Sequence, residues 1–143
     1  MLVADGDGLP IGFYLESANH HEVKLAVPTL ETVRVPRRRG GRSKQRPKEL
    51  VADKAYDSKG FRSWLRSRGI KSTIPFYERR ERKRPRQGRP VKIGPGYSER
   101  WKVERTFAWL GSFRRLLVRQ EHYLSTFRAF FLVAFILVLL RHF

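Results

Sequence analysis

The sequence predicts an α/β domain in which a mixed sheet is flanked by helices. Short apolar runs bounded by glycine, proline and aspartate predict β-strands in the first half of the chain. Apolar residues at helical spacing predict helices in the last third, which ends in a nearly continuous apolar stretch. With 41% hydrophobic residues, the 143-residue chain can build one core, and we expect a single domain over residues 1–143.

The N-terminus predicts a β-hairpin that leads into a helix. Strand-like runs at Leu2 to Ala4 and Leu9 to Leu15 surround the turn sequence Asp5-Gly6-Asp7-Gly8. Between Asn19 and Val33 the apolar residues recur at mixed helical spacings. Pro28 lies within this segment and predicts that the helix begins or breaks near it, because proline lacks a backbone N–H.

A strand, a turn and a helix are predicted next. Residues 49–52 form a short strand-like run that ends at Asp53. Ser58 is expected to cap the N-terminus of the following helix, and Gly69 its C-terminus. Residues 70–75 then predict another short strand.

Two helices are predicted from Tyr97 to about Glu121 and from Tyr123 to the end of the chain. An apolar arc on the first of them predicts packing against a sheet, and it is formed by Val103, Phe107, Leu110 and Leu117. The apolar stretch Ala129 to Leu140 is shorter than the ~20 residues that span a bilayer. We therefore expect a buried helix there and no membrane partner.

The chain carries a large excess of positive charge. Lys and Arg number 31 and Asp and Glu 13, so the formal net charge is +18, which attracts a polyanion. Two basic segments, residues 34–48 and 78–92, are interrupted by glycine and proline, and we expect them to be loops that contact nucleic-acid phosphates. The residues expected to make these contacts are Arg37, Arg38, Arg39, Arg42, Arg82, Lys83 and Arg84.

The chain has no cysteine, so disulfides and thiolate metal sites are excluded and any metal must use oxygen or histidine ligands. The first seven residues lack the basic and apolar segments of a secretory signal, and we expect a cytoplasmic protein. The histidines form no ligand pattern, and none is assigned as a ligand.

Three polar residues near the start of the first C-terminal helix are predicted to share a face. At about 100° per residue, Tyr97, Arg100 and Glu104 fall within an arc of about 60°. Arg100 can orient the Glu104 carboxylate, and Tyr97 can donate a hydrogen bond to it or to a substrate. Asp53, at the end of a strand, can present a second carboxylate to a divalent cation. The alternatives are a surface ion pair for Arg100 and Glu104 and a turn or capping role for Asp53.

Two segments resemble the DDE transposases of bacterial insertion sequences. They are residues 51–58 (VADKAYDS) and residues 97–110 (YSERWKVERTFAWL), and they occur in the family's order. The resemblance extends over nearly all of the chain and implies an RNase H-like core. In that family three carboxylates hold two Mg²⁺ or Mn²⁺ ions. By position, Asp53 matches the second acid and Glu104 the third, while Tyr97 and Arg100 match the family's Tyr-x2-Arg-x3-Glu-x6-Lys signature.

Two positions depart from the family's pattern. Gly111 stands where the signature has Lys, and Arg115, one turn further along, is the candidate substitute and a candidate DNA contact. No residue matches the first family Asp, which lies on a strand preceding the hairpin; Asp5 and Asp7 look like turn residues. We therefore expect the RNase H-like sheet to lack its first strand and this chain alone to be inactive.

The resemblance implies an enzyme that binds double-stranded DNA, at the ends of its own element and at a target, and that cuts and joins it in the bacterial nucleoid. Its partner is expected to be a second copy or an N-terminal part read from an upstream frame. The rival interpretation is a non-catalytic DNA-binding regulator or inhibitor derived from the same element. A ribosome- or RNA-associated basic protein is a third interpretation, but it leaves the paired acidic motifs unexplained.

Overall fold

Short strands mixed with helices make up the first half of the described chain and helices make up its last third, as the sequence predicts. The structure is a computed structural model that describes residues 1–16, 19–37, 39–76 and 94–142. The strands are β1 (Leu2–Ala4), β2 (Pro10–Phe13), β3 (Glu49–Val51) and β4 (Lys71–Thr73). The helices are α1 (Glu22–Glu31), α2 (Lys59–Ser67), α3 (Trp101–Gly111), α4 (Arg114–Leu117) and α5 (Leu124–Leu140). Two 3₁₀ helices cover Lys54–Tyr56 and Pro95–Arg100.

The predicted N-terminal hairpin is confirmed. β1 and β2 pair antiparallel, with Leu2 opposite Phe13. In the turn, Asp5 Oδ1 accepts hydrogen bonds from the backbone N–H groups of Asp7 and Leu9, each at 2.9 Å. Gly8 has a φ of +84°, a backbone conformation that favours glycine, so the turn depends on this residue type.

Helix α1 continues through Pro28 and ends at Glu31, so the predicted break at the proline is wrong. Pro28 lies in the last turn of the helix, where few residues follow it. The next residue, Thr29, is fully buried, and its hydroxyl donates to the Leu25 carbonyl at 2.6 Å. Burial of Thr29 and Leu30 in the core stabilises this last turn, although Pro28 has no backbone N–H to donate to it.

The predicted strand, turn, helix and strand around Asp53 are confirmed. Ser58 Oγ accepts a hydrogen bond from the Phe61 N–H at 3.1 Å and caps α2. After α2, Gly69 has a φ of +65°, and the Ile70 N–H donates to the Leu65 carbonyl at 2.9 Å, a Schellman arrangement. The chain then enters β4, which pairs in parallel with β3.

The described strands form two sheets of two strands each, rather than the single mixed sheet that was predicted. One sheet pairs β1 with β2 and the other pairs β3 with β4. Both pack on the same apolar cluster, because Val3 of β1 and Leu50 of β3 contact it. The buried members of that cluster are Ala26, Leu30, Phe61, Leu65, Ile70 and Ile74.

A second apolar cluster joins β1 to the C-terminal helices. Its buried members are Leu2, Leu110, Ala134, Phe135 and Val138. Only one face of α5 takes part, and Val133 and Ile136 on the remainder are 54% and 55% exposed, so the prediction of a buried helix holds for part of it. In the described ranges, no helix has the length and apolar character needed to cross a membrane.

The predicted apolar arc of α3 is correct in part. Leu110 is buried and Val103 packs against the second cluster, but Phe107 is 52% exposed and Leu117, in α4, 67% exposed. The buried polar residue on α3 is Thr106. The helix is therefore rotated about its axis relative to the prediction, and Thr106 faces the hairpin.

Candidate functional site

Arg100 brings together two acids that lie far apart in the sequence. Its Nη1 lies 3.1 Å from Asp53 Oδ2, across 47 residues of chain. Its Nη2 lies 3.0 Å from Glu104 Oε1, one helical turn further along. The structure thus places both predicted acids and the predicted arginine in one cluster, hereafter the acidic cluster.

Asp53 is positioned by the end of the parallel sheet. It follows β3 and forms the N-cap of the first 3₁₀ helix, where Oδ1 accepts from the Lys54 N–H at 2.5 Å. The other carboxylate oxygen remains for Arg100. Asp57, four residues further along, forms an ion pair with Arg62 at 2.7 Å, with both side chains largely buried.

Tyr97 and Arg100 lie in the second 3₁₀ helix, so the single α-helix predicted from Tyr97 begins only at Trp101. Ser98 donates its hydroxyl to the Pro95 carbonyl at 2.8 Å, and such a local bond competes with α-helical hydrogen bonding. The Arg100 guanidinium lies 5.9 Å from the centre of the Tyr97 ring. Tyr97 therefore flanks the acidic cluster through Arg100.

Helix α3 is held against the hairpin turn by three of its side chains. Thr106 Oγ1 donates to the Gly8 carbonyl, Lys102 Nζ to the Gly6 carbonyl at 2.7 Å, and Arg105 Nη2 to the Asp7 carbonyl. A Cβ at Gly8 would lie 2.8 Å from Arg105 Nη2. These contacts set the position of Glu104, and sequence analysis missed them. The local sequence gives one indication of them, because the polar residue Thr106 lies on the same helix face as the apolar residues Val103 and Leu110.

The acidic cluster is open to solvent. The side chains of Arg100, Asp53 and Glu104 are 36%, 43% and 59% exposed. Ion pairs this exposed contribute little to stability, so the cluster is better placed to exchange partners than to hold the fold. Carboxylate oxygens are the ligand type that suits Mg²⁺ or Mn²⁺, and Asp53 and Glu104 supply two such groups. Within the described ranges, no group of three acidic, histidine or cysteine side chains converges.

Tyr56 stands beside Asp53 and is held as a hydrogen-bond donor. Its hydroxyl donates to Glu22 Oε2 at 3.1 Å, which ties the 3₁₀ helix after Asp53 to α1. Burial raises the pKa of Tyr56 above its ordinary value, and the Glu22 carboxylate raises it further. The tyrosine therefore stays protonated at neutral pH.

The predicted phosphate-binding residues are only partly within the described ranges. Arg37, Arg39 and Arg42 are exposed, in a loop closed by a bridge between Val35 and Lys44. The remaining predicted loop residues, Arg38, Arg82, Lys83 and Arg84, lie outside the described residues.

Arg115, the candidate substitute for the signature lysine, is engaged elsewhere. Its guanidinium contacts Glu121 at 2.7 Å and lies 5.1 Å from the centre of the Phe130 ring. Gly111 contributes no charge at the signature position itself.

Comparisons with known proteins agree on one family. The family described as "Transposase DDE domain" matches residues 1–139. The chain is 36% identical over 121 residues to the "Putative transposase for insertion sequence element IS402" of Burkholderia cepacia. That alignment covers 84% of this chain and 52% of the relative, so the chain spans about half the length of the curated relative it matches. No solved structure matches the chain.

Proposed function

Since this chain belongs to the transposase DDE domain family, we propose that it carries two of the acids with which an insertion-sequence transposase cuts and joins DNA. The observation that supports this most is the meeting of Asp53 and Glu104 at Arg100. In this proposal the two sheets and their helices are parts of an RNase H-like core.

Asp53 and Glu104 would hold Mg²⁺ or Mn²⁺ together. Of two such ions, one would activate water or a 3′-hydroxyl and the other would stabilise the leaving oxygen of a DNA phosphodiester. Arg100 keeps the two carboxylates near each other before DNA arrives, and its donors can then turn to phosphate oxygens. Tyr97, in contact with Arg100, limits the directions in which that guanidinium can point.

The family's first acid has no match in the 143 residues, and we propose that it comes from a strand outside them. This strand would pair between β1 and β3. Support comes from the two separate sheets, which share one apolar cluster while each consists of two strands. Isolated two-stranded sheets are marginally stable, so a strand that joined them would stabilise both.

The DNA partner of the proposed enzyme is double-stranded, at the element's ends and at the target. The exposed residues Arg37, Arg39 and Arg42 would contact its phosphates, together with Arg38, Arg115 and the basic residues Arg82, Lys83 and Arg84. Such contacts orient the duplex without reading its sequence. A second copy, or a separately translated N-terminal part, would complete the assembly, which would act in the cytoplasm at the nucleoid.

Mg²⁺-dependent nicking of DNA that carries the element's ends tests this proposal. The chain alone should not nick DNA, because Asp53 and Glu104 supply only two of the three carboxylates that the metal ions need. A fusion that supplies the missing strand and its Asp should nick, and Glu104→Ala in the fusion should abolish that activity. Glu99→Ala is the matched control: this exposed glutamate precedes α3 and pairs with Lys102 at 2.6 Å, outside the acidic cluster.

Three outcomes contradict the proposal in different ways. Nicking by the isolated chain that is lost in Glu104→Ala would mean that a residue such as Asp5 or Asp7 completes the site. Equal loss in Glu99→Ala and Glu104→Ala would remove Glu104 from the site. A fusion that binds the element's ends but never nicks would favour the non-catalytic regulator.

A further inference from the structure

A cavity of about 310 Å³ lies apart from the residues of the acidic cluster, between α1, the first basic segment and α2. Its lining combines cationic and apolar side chains: Leu30, Glu31, Arg34, Gln45, Arg46, Pro47, Trp64, Arg68 and Ile70. Three arginines face one acid, so the cavity has a net positive charge. These residues come from separate parts of the chain, so no sequence motif predicts the cavity.

Two of the arginines are anchored by backbone carbonyls. Arg34 Nη1 donates to the carbonyls of Glu31 and Val33, both at 2.7 Å. Arg46 Nη1 donates to the Arg68 carbonyl at 2.8 Å, across 22 residues of chain. A guanidinium has five donor hydrogens, so most remain free for an anion. Because the backbone already orders these groups, binding an anion costs less side-chain entropy.

The lining of the cavity is mixed: besides its charged and amide side chains it has an apolar part that includes one aromatic ring. Leu30 and Ile70 are buried, and Trp64 is partly buried beside them. The Arg68 guanidinium lies 5.1 Å from the centre of the Trp64 ring. The Phe61 ring is stacked on Trp64, with ring centres 6.2 Å apart. A planar base can pack against the part of the Trp64 ring that Arg68 and Phe61 leave open, and the Gln45 amide can both donate to and accept from a base edge.

We propose that this cavity binds one unpaired nucleotide of a DNA strand, with its phosphate at the arginines and its base against Trp64. A duplex phosphate needs only the arginines, whereas the apolar part of the lining, with Trp64, suits a base that is free of its partner. The volume is near the lower end for small-molecule sites, which fits a single nucleotide. The choice of DNA as the polymer rests on the proposed function.

The test measures binding of a single-stranded oligonucleotide containing one 2-aminopurine, and of the same strand annealed to its complement. The cavity variant is Arg34→Gln with Arg68→Gln. Its matched control, Lys59→Gln with Arg66→Gln, removes the same charge from exposed positions of α2 that do not line the cavity. Trp64→Leu tests the base wall and keeps an apolar side chain there. Thermal unfolding of each variant verifies that it folds.

We expect the cavity variant and Trp64→Leu each to weaken single-strand binding about tenfold, because the first loses phosphate contacts and the second loses stacking of the base. Duplex binding should fall no further in the cavity variant than in the control. Equal losses in the cavity variant and the control, or equal losses for single strand and duplex, would overturn the nucleotide site. Competition by a free nucleoside monophosphate or by inorganic phosphate as strong as by the oligonucleotide would overturn the DNA assignment.

The nicking fusion separates this inference from the proposed function. A fusion that nicks normally while its cavity variants bind single strands like the control would refute the cavity site and leave the acidic cluster intact. A chain that binds neither single-stranded nor duplex DNA would refute both.

Discussion

Arg100 lies between the two carboxylates of the acidic cluster, where its positive charge opposes the approach of a divalent cation. We expect Arg100→Gln to tighten Mn²⁺ binding by up to about fivefold, a modest effect because the cluster is exposed. Paramagnetic resonance of free Mn²⁺ gives the affinity. Arg66→Gln, an exposed charge loss on α2, is the control, and Asp53→Asn should remove the gain. Unchanged or weaker Mn²⁺ binding in Arg100→Gln would contradict this.

The buried hydroxyl of Thr73 donates to the Glu49 carboxylate, and Lys71 Nζ lies 3.3 Å from it. The Thr73 hydrogen bond is the main reason that the pKa of Glu49 is below its ordinary value; Lys71 adds to the shift. A carboxyl group whose pKa is lowered by folding stabilises the protein above its unfolded pKa. That contribution disappears as the pH falls through the folded pKa.

Thr73→Val should therefore lower the free energy of unfolding by about 1 kcal/mol near neutral pH. At a pH below the folded pKa of Glu49 the difference from the parent chain should be much smaller, because Glu49 is then protonated in both states. Urea unfolding at both pH values measures it, with Ser72→Ala in the same strand as control. A destabilisation that is equal at both pH values would show that lost packing, not the Glu49 carboxylate, is responsible.

At single positions, the sequence motifs indicated which acids come together but not which contacts hold them there. The motifs around Asp53 and Glu104 predicted that these acids meet, and the two side chains share Arg100. No pattern predicted that Thr106 donates to Gly8, because that contact joins residues 98 apart. Long-range contacts depend on how elements pack, and a single sequence carries little record of packing.

Two glycines, one in helix α2 and one just after its end, should respond to substitution in opposite directions. Gly60 lies inside the helix with open space around it, so Gly60→Ala should stabilise the chain by about 0.5 kcal/mol. Gly69 has a φ of +65°, so Gly69→Ala should destabilise by about 1 kcal/mol through backbone strain, although the nearest atom, Arg46 Nη1 at 3.9 Å, leaves room for the added methyl. Urea unfolding compares them, and the same sign for both would contradict the assigned role of Gly69.

Helix ends could be read from the sequence, whereas helix faces could not. Ser58 and Gly69 mark the ends of α2 because capping depends on local chemistry. The apolar run of α5 contains no polar side to indicate which residues face the core, and Ile136 remains exposed. The stretch before α3 became a 3₁₀ helix because Ser98 bonds to the local backbone, a competition that helical periodicity does not detect.

At the scale of the whole molecule, the net charge of +18 should control DNA affinity. Binding should weaken steeply with salt, with a log–log slope of about −0.9 per neutralised phosphate. Replacing Arg37, Arg39 and Arg42 together with Ala should flatten that slope. Fluorescence anisotropy over a salt series measures it, and an unchanged slope would remove the first basic segment from the DNA-binding surface.

The hydrogen bonds between α3 and the hairpin turn also affect how the chain unfolds locally. Thr106, Lys102 and Arg105 join this helix to the carbonyls of one sheet's turn, and Arg100 just before it joins the end of the other sheet. Helix α3 therefore connects two sheets whose strands, in the described ranges, form no hydrogen bonds with each other. When it detaches, both lose a support at once, so their backbone amides should exchange with solvent as one cooperative unit.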